Sequence, residues 1–268
     1  MLSPISPTMY SMIWSAHSDS TSNKPNAHFN LRMVPITVAI DMTDLGLARL
    51  LQLCSPALPV GAYAYSTGQE AAVEHGLLTD VTSTREWITG TYTQGLGKLD
   101  LPALFIACKA VLSEDCQRLI ELDAYLRASR ETSELLLEDL QMGQSLTRLC
   151  PALDIELITR PAPTFVTTFA EVGTRWQIAA TALAWGFSYA WLENQVGVAT
   201  KSVPLGQSEA QALLAQLCEL IEPATAEAAD VAAAQPTDSV EWDFGQSQPG
   251  LAILSSRHEQ QTSRLYRS

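Results

Sequence analysis

The sequence has few positive charges, and none of them lies between Lys201 and Arg257. Its 268 residues carry 16 Lys and Arg against 29 Asp and Glu, which gives a formal net charge of −13. Nucleic acids and anionic membranes repel a surface of this sign. The composition therefore argues against generic binding to a nucleic acid or a membrane, and it favours partners that are neutral or basic.

Cysteine is scarce, and its spacing is not that of a disulfide framework or a metal site. The five residues include no C-x-x-C pair and no secretory signal precedes them, so we expect reduced thiols and a cytoplasmic location. They are Cys54, Cys108, Cys116, Cys150 and Cys218. The longest uncharged run, 50–69, contains Pro56, Pro59 and Gly61, which would break a membrane helix.

Common catalytic and nucleotide-binding motifs are absent from the sequence. It contains no G-x-x-x-x-G-K-[ST], no G-x-S-x-G and no G-x-G-x-x-G. His75 and His258 have no spaced set of metal ligands around them, and Glu138 and Asp139 are adjacent on a predicted helix and point apart. We therefore expect a protein that is not an enzyme and has no tightly bound cofactor or metal. A helical enzyme with a cofactor in an apolar pocket is a third-choice alternative.

Helical patterns fill the chain after residue 38. Residues 1–38 are rich in Ser, Thr, Asn and Pro without periodicity, which predicts a flexible N-terminal extension. The patterns predict a first helix around 45–53, then two helices that begin at apparent capping boxes, 66–69 and 83–86, and a further helix that Asp100 caps. Further helices are predicted at 114–128, 130–149, 165–175, 177–200, 207–220 and 223–234. Alternating strand patterns are absent, so we predict an all-α, single-domain helical bundle over 39–268.

Charge is distributed unevenly towards the C-terminus. Acidic residues from Glu209 to Asp243 have no basic neighbours, whereas Arg257, Arg264 and Arg267 make the end of the chain basic. We refer to residues 251–268 as the tail. Its charge predicts that it docks on the acidic region of its own body or on an acidic partner.

A group of polar residues follows the uncharged segment 176–192. Glu193, Asn194, Gln195 and Lys201 come at the end of what is predicted to be a buried helix. Such groups are expected to be hydrogen-bonded or to face another protein. Pro204 then blocks helix continuation, and the next helix is predicted to open near Gln207.

Four segments together resemble the urease accessory protein UreF family. They are 50–70, which contains L-L-Q-L-C-S-P-A-L-P-V-G and Y-S-T-G-Q-E; 128–144, with A-S-R-E-T-S-E and Q-M-G-Q; 191–207, which ends in V-P-L-G-Q; and 254–268. Gly143 in the second segment is expected to permit close helix packing. The chain departs from the family pattern at Ala62 to Ala64, at Thr262 and at Tyr266, where Phe is common.

The resemblance implies a scaffold rather than a urease. UreF-like proteins join a UreD/UreH accessory protein to the nickel-carrying GTPase UreG, promote nickel delivery to apo-urease, and form a homodimer within that assembly. Nickel is then the cargo of the assembly. A helical protein-interaction module unrelated to urease is the alternative that the residues leave open.

Residues are assigned to the two partners as hypotheses. Lys201 and Gln207 are predicted to bind the GTPase. The tail is predicted to become ordered against the UreD/UreH-like protein, because Arg and Tyr are favoured anchors of interfaces. The tail residues assigned to this partner are Arg257, His258, Arg264, Tyr266 and Arg267.

Overall fold

A computed structural model describes residues 43–236 and 241–268, which belong to one compact unit, Met42–Ser268. The predicted extension, 1–38, lies outside the described residues. Regular structure in the described ranges is entirely helical, which confirms the all-α prediction. The helices are α1 (Asp44–Leu53), α2 (Gln69–Glu74), α3 (Val81–Thr91), α4 (Asp100–Leu112), α5 (Cys116–Ser129), α6 (Ser133–Leu149), α7 (Phe165–Arg175), α8 (Ala180–Ser202), α9 (Gln207–Cys218), α10 (Ile221–Ala234) and α11 (Pro249–His258). Short 3₁₀ turns occur at Ala62–Ala64 and Cys150–Leu153, and a π turn at Tyr92–Leu96.

Helix α4 lies at the centre of the bundle. It packs against α5, α7, α8 and α10, and its Leu101, Leu104 and Ala107 are completely buried. Around this centre, α6 packs on α7, α9 on α8 and α3, and α11 on α2 and α6. None of the helices in the described ranges is both long and apolar enough to cross a membrane.

Close packing of α6 against the start of α7 depends on Gly143, as predicted. A Cβ atom at this position would lie 2.8 Å from the Thr164 carbonyl carbon and 3.0 Å from the Phe165 nitrogen. These are backbone atoms, so a larger residue would force the two helices apart.

Three predicted helix starts are corrected by the structure. Helix α2 begins at Gln69, and Gly68 at its N-cap offers no side-chain hydrogen bond, so the predicted capping box at 66–69 does not form. Asp80, not Ser83, caps α3: its Oδ1 accepts from the Ser83 nitrogen at 2.8 Å, and the Ser83 hydroxyl accepts from the Asp80 nitrogen at 3.2 Å. Ser83 was assigned as the cap because the reciprocal box also places a polar residue at the third helical position. Asp100 is the first residue of α4 rather than its cap, because its carboxylate turns inward to pair with Arg130 at 2.6 Å.

Buried ion pairs tie the central helices together. Arg130, between α5 and α6, also pairs with Asp139 of α6 at 2.9 Å. Arg160, in the connector after α6, pairs with Asp123 of α5 at 2.7 Å and also with Glu171 of α7. Because an unpaired buried charge is costly, these pairs constrain the positions of α4 to α7.

Candidate partner-binding face

The tail lies on the body of the protein, held by the main chain and by side chains of α2 and α6. The carboxylate of Glu70, on α2, accepts hydrogen bonds from the Leu265 nitrogen at 2.7 Å and the Tyr266 nitrogen at 2.9 Å. The Arg267 nitrogen donates to the Ala64 carbonyl oxygen at 2.8 Å. The tail therefore lies on its own body, but on α2 and α6 rather than on the predicted acidic region from Glu209 to Asp243, because its partners there are Glu70 and Glu134.

His258 lies between two carboxylates in the interior of this contact. Its side chain is completely buried, with Nδ1 2.7 Å from Glu134 on α6 and Nε2 3.1 Å from Glu70 on α2. Arg264 also reaches Glu134, at 2.9 Å. The imidazole therefore links α11 to two helices at once, and the two glutamates are shared between His258 and the rest of the tail.

Ser268 is buried beside the turn that precedes α2. Its main-chain oxygen accepts from the Ser66 nitrogen at 3.2 Å and from the Ser66 hydroxyl. Its own hydroxyl donates to Glu138 at 2.6 Å, and the Thr67 hydroxyl donates to the same carboxylate at 3.1 Å. Burial raises the pKa of Glu138 to about 7, although the hydrogen bonds from Ser268 and Thr67 act to lower it.

The polar residues of α8 that follow its uncharged part contact the turn before α2. Asn194 donates to the Tyr65 carbonyl oxygen at 3.2 Å, and Gln195 donates to the Thr67 hydroxyl at 3.3 Å. Hydrogen bonding inside the protein thus accounts for both amide nitrogens, whereas the Gln195 side-chain oxygen is buried without a hydrogen-bond partner among the described residues. Burial raises the pKa of the neighbouring Glu193, which is only partly exposed.

The four segments that resemble one family meet at this single location. The turn before α2 contacts α6, α8 and the tail there, and the tail also contacts α6. We call this region the tail-docking face. It is formed by residues up to 202 positions apart in the chain.

The predicted site residues differ in their exposure to solvent. Lys201 is exposed in the last turn of α8, and its Nζ lies 5.8 Å from the centroid of the Tyr266 ring. Gln207 is exposed at the start of α9. Arg257, Arg264 and Arg267 are exposed on the tail, whereas His258 and Tyr266 are buried and hold it in place. The assignments of these residues to partners stay predictions.

Sequence reasoning did not single out the glutamates that hold the tail. Glu70 and Glu134 are each the last residue of a sequence stretch that resembles the UreF family. That resemblance was the sequence feature that could have identified them. Glu138 was considered only as an acid–base candidate beside Asp139. In the structure the two carboxylates serve different contacts, Glu138 with the tail and Asp139 with Arg130.

A helical enzyme, the third-choice alternative, would need an apolar pocket large enough to hold a cofactor. An apolar cavity of about 90 Å³ lies among Leu58, Phe169, Phe187 and Trp191. This volume is small beside the roughly 300–1,000 Å³ of typical ligand sites. Across residues 43–236 and 241–268, no group of three or more His, Cys, Asp or Glu side chains is arranged to hold a metal ion.

Comparison with known proteins adds independent information. The family model described as UreF matches residues 78–218, just over half of the chain. A protein of Teredinibacter turnerae named Urease accessory protein UreF is 45% identical over 228 residues, which cover 83% of this chain and 98% of the relative. Proteins with the same name from Hahella chejuensis and a Marinomonas species are 41% and 40% identical, and each is covered over its full length.

Proposed function

The chain belongs to the UreF family of urease accessory proteins, and on this premise we propose that it is a scaffold for urease maturation. It holds a UreD/UreH-like protein and a UreG-like GTPase together while nickel is delivered to apo-urease. The chain acts in the cytoplasm as a homodimer within this assembly. Nickel is the cargo, and the scaffold itself has no tightly bound cofactor.

The observation that carries the proposal is the convergence of the family segments on the tail-docking face. The buried contacts among these distant segments hold the tail in place and thereby position its exposed side chains on the surface. There, exposed Lys201, Arg264 and Arg267 lie on a protein with a net charge of −13. Basic groups on an otherwise acidic surface favour acidic partner regions and steer their approach.

In this proposal each group of predicted residues has a role. Lys201 and Gln207 contact the GTPase, and the exposed arginines of the tail contact the UreD/UreH-like protein. His258 and Tyr266 keep the tail in position, because they are buried against α2, α6 and α8. The scaffold thereby couples the two partners through one ordered surface.

Co-purification tests the proposed function directly. The full chain, expressed with a UreD/UreH-like and a UreG-like protein, is expected to be recovered with both on a tag carried by either partner. The purified chain alone is expected to hydrolyse neither urea nor GTP. Failure to recover both partners would reject the scaffold role, and so would turnover that survives repurification.

A further inference from the structure

A polar groove runs beside the tail-docking face, between the turn at 59–65 and the C-terminal half of α6. Its volume is about 480 Å³. Tyr63, Tyr65, Gln141, Ser145, Arg148 and Arg267 are among the residues that line it. The groove is open to solvent, and Arg267 links it to the contacts that hold the tail.

Two arginines of this groove have only neutral hydrogen-bond acceptors in the part of the chain that the structure describes. Arg148 donates to the Ser145 hydroxyl at 3.1 Å, and Arg267 donates to the Gln141 side-chain oxygen at 3.5 Å. Other arginines of the protein, including Arg130, Arg160 and Arg264, pair with carboxylates. The groove therefore has two positive charges that are not neutralised, on a chain with a net charge of −13.

The positions of these charges are set by ordered structure. The Arg267 nitrogen is bonded to the Ala64 carbonyl oxygen at 2.8 Å, and Tyr65 donates its hydroxyl to the same Gln141 oxygen that Arg267 contacts. Gln141 and Arg148 lie on one helix, seven residues apart, which corresponds to roughly 10 Å along its axis. The guanidinium of Arg267, which contacts Gln141, and the guanidinium of Arg148 thus lie at two separate positions along the groove.

We propose that this groove binds an acidic segment of a partner protein, with one carboxylate at each arginine. The inference rests on the proposed scaffold function and specifies which surface takes an acidic partner. A chain in the polyproline II conformation advances by about 3.1 Å per residue with three residues per turn, so acidic residues three positions apart lie on one side and match the two arginines. Each guanidinium can pair with a carboxylate through two parallel hydrogen bonds. Tyr63, which is exposed at the rim, offers an apolar contact beside the charges.

A labelled peptide tests the groove without any partner protein. The probe is a twelve-residue fluorescein-labelled peptide with Glu at every third position between Gly and Ser, measured by anisotropy against the full chain at low salt. The same peptide with Gln for Glu is expected to bind at least tenfold more weakly. Arg148→Glu is expected to weaken binding of the acidic peptide at least tenfold. Arg148 is exposed and bonds within its own helix, so this variant should fold, and the negative charge in the last turn of α6 should lower its melting temperature by no more than about 2 to 4 °C.

Arg85→Glu is the matched control, because it makes the same charge change at an exposed position of α3 outside the groove. It is expected to keep binding within about twofold of wild type. An acidic peptide that does not bind the wild type overturns the inference. So does an Arg148→Glu variant that binds as well as Arg85→Glu.

Co-purification with the UreD/UreH-like and UreG-like proteins separates this inference from the scaffold function. If the wild type assembles and Arg148→Glu loses a partner, the groove is supported. If both assemble equally well, the groove is rejected and the scaffold function stands. If the wild type does not assemble, the scaffold function is rejected, and the peptide measurement alone decides whether the groove binds acidic segments.

Discussion

The ammonium nitrogen of Lys201 lies 5.8 Å from the centroid of the Tyr266 ring, so the end of α8 and the tail form one continuous surface. This distance is within the range of a cation–π interaction. The two residues were assigned to different partners, the GTPase and the UreD/UreH-like protein. Their contact means that the two proposed binding surfaces adjoin, and that a displaced tail changes the surroundings of Lys201.

Lys201→Ala is expected to weaken recruitment of the GTPase while the body stays folded. Truncating a charge at an interface can cost roughly 2 to 5 kcal/mol of binding, whereas an exposed substitution changes stability by about 0.5 kcal/mol or less. Binding and melting temperature should be measured together. Lys109→Ala is a matched control, because Lys109 is also exposed in the last turn of its helix, α4. Unchanged binding with a lowered melting temperature would assign Lys201 to capping α8.

His258→Ala is expected to release the tail from the body. The substitution leaves Glu70 and Glu134 without their imidazole contact, and a buried acceptor that loses its partner costs about 1 to 3 kcal/mol. Limited trypsin digestion followed by mass spectrometry should then show faster cleavage at Arg257, Arg264 and Arg267. Ile253→Ala alters an exposed residue of the same helix and should digest like wild type. Equal digestion of His258→Ala and wild type would show that His258 does not hold the tail.

Glu138→Gln is expected to remove a specific pH dependence of stability. Burial raises the pKa of Glu138 from 4.5 to about 7, so the folded state keeps a proton that the unfolded state releases between these values. The stabilisation that the bound proton gives to the folded state is present below pH 4.5 and is lost as the pH rises towards 7. Between pH 4.5 and 7, the free energy of unfolding of the wild type should fall by about 1 to 3 kcal/mol relative to that of the Gln variant.

Chemical denaturation at several pH values between 4.5 and 8 measures this difference. Glu86→Gln provides the control, since Glu86 is exposed on α3. Its stability should follow the wild-type pH curve. If the Glu138→Gln curve also runs parallel to wild type, the carboxyl does not retain its proton in the folded protein.

Gly143→Ala is expected to destabilise the protein by about 1 to 3 kcal/mol, because the added methyl group would meet the backbone at Thr164 and Phe165. Gly197→Ala is the paired control in α8, where a Cβ meets no atom within 4 Å. That substitution should stabilise the helix by up to about 1 kcal/mol. Urea denaturation of both variants tests the contrast, and equal stabilities would show that α6 and α7 tolerate a wider spacing.

Helix positions were largely predictable because their signals are local. The spacing of apolar residues predicted 165–175 and 207–220, and the structure has α7 at Phe165–Arg175 and α9 at Gln207–Cys218. Local patterns were less reliable at helix starts. Asp100 has the residue type of a cap, but its role depends on Arg130, which lies 30 positions later.

The sequence by itself determined the helical class, the exclusion of common catalytic motifs and the four segments typical of one family, because periodicity, capping and motif spacing involve residues close together in the chain. Only the tertiary structure decided that the tail lies on its own body, which acidic residues hold it, and which arginines have no carboxylate partner among the described residues. His258 and Glu70 are 188 positions apart. Contacts over such separations depend on how whole helices pack, and the ion pairs in the interior then follow from that packing rather than from neighbouring residues.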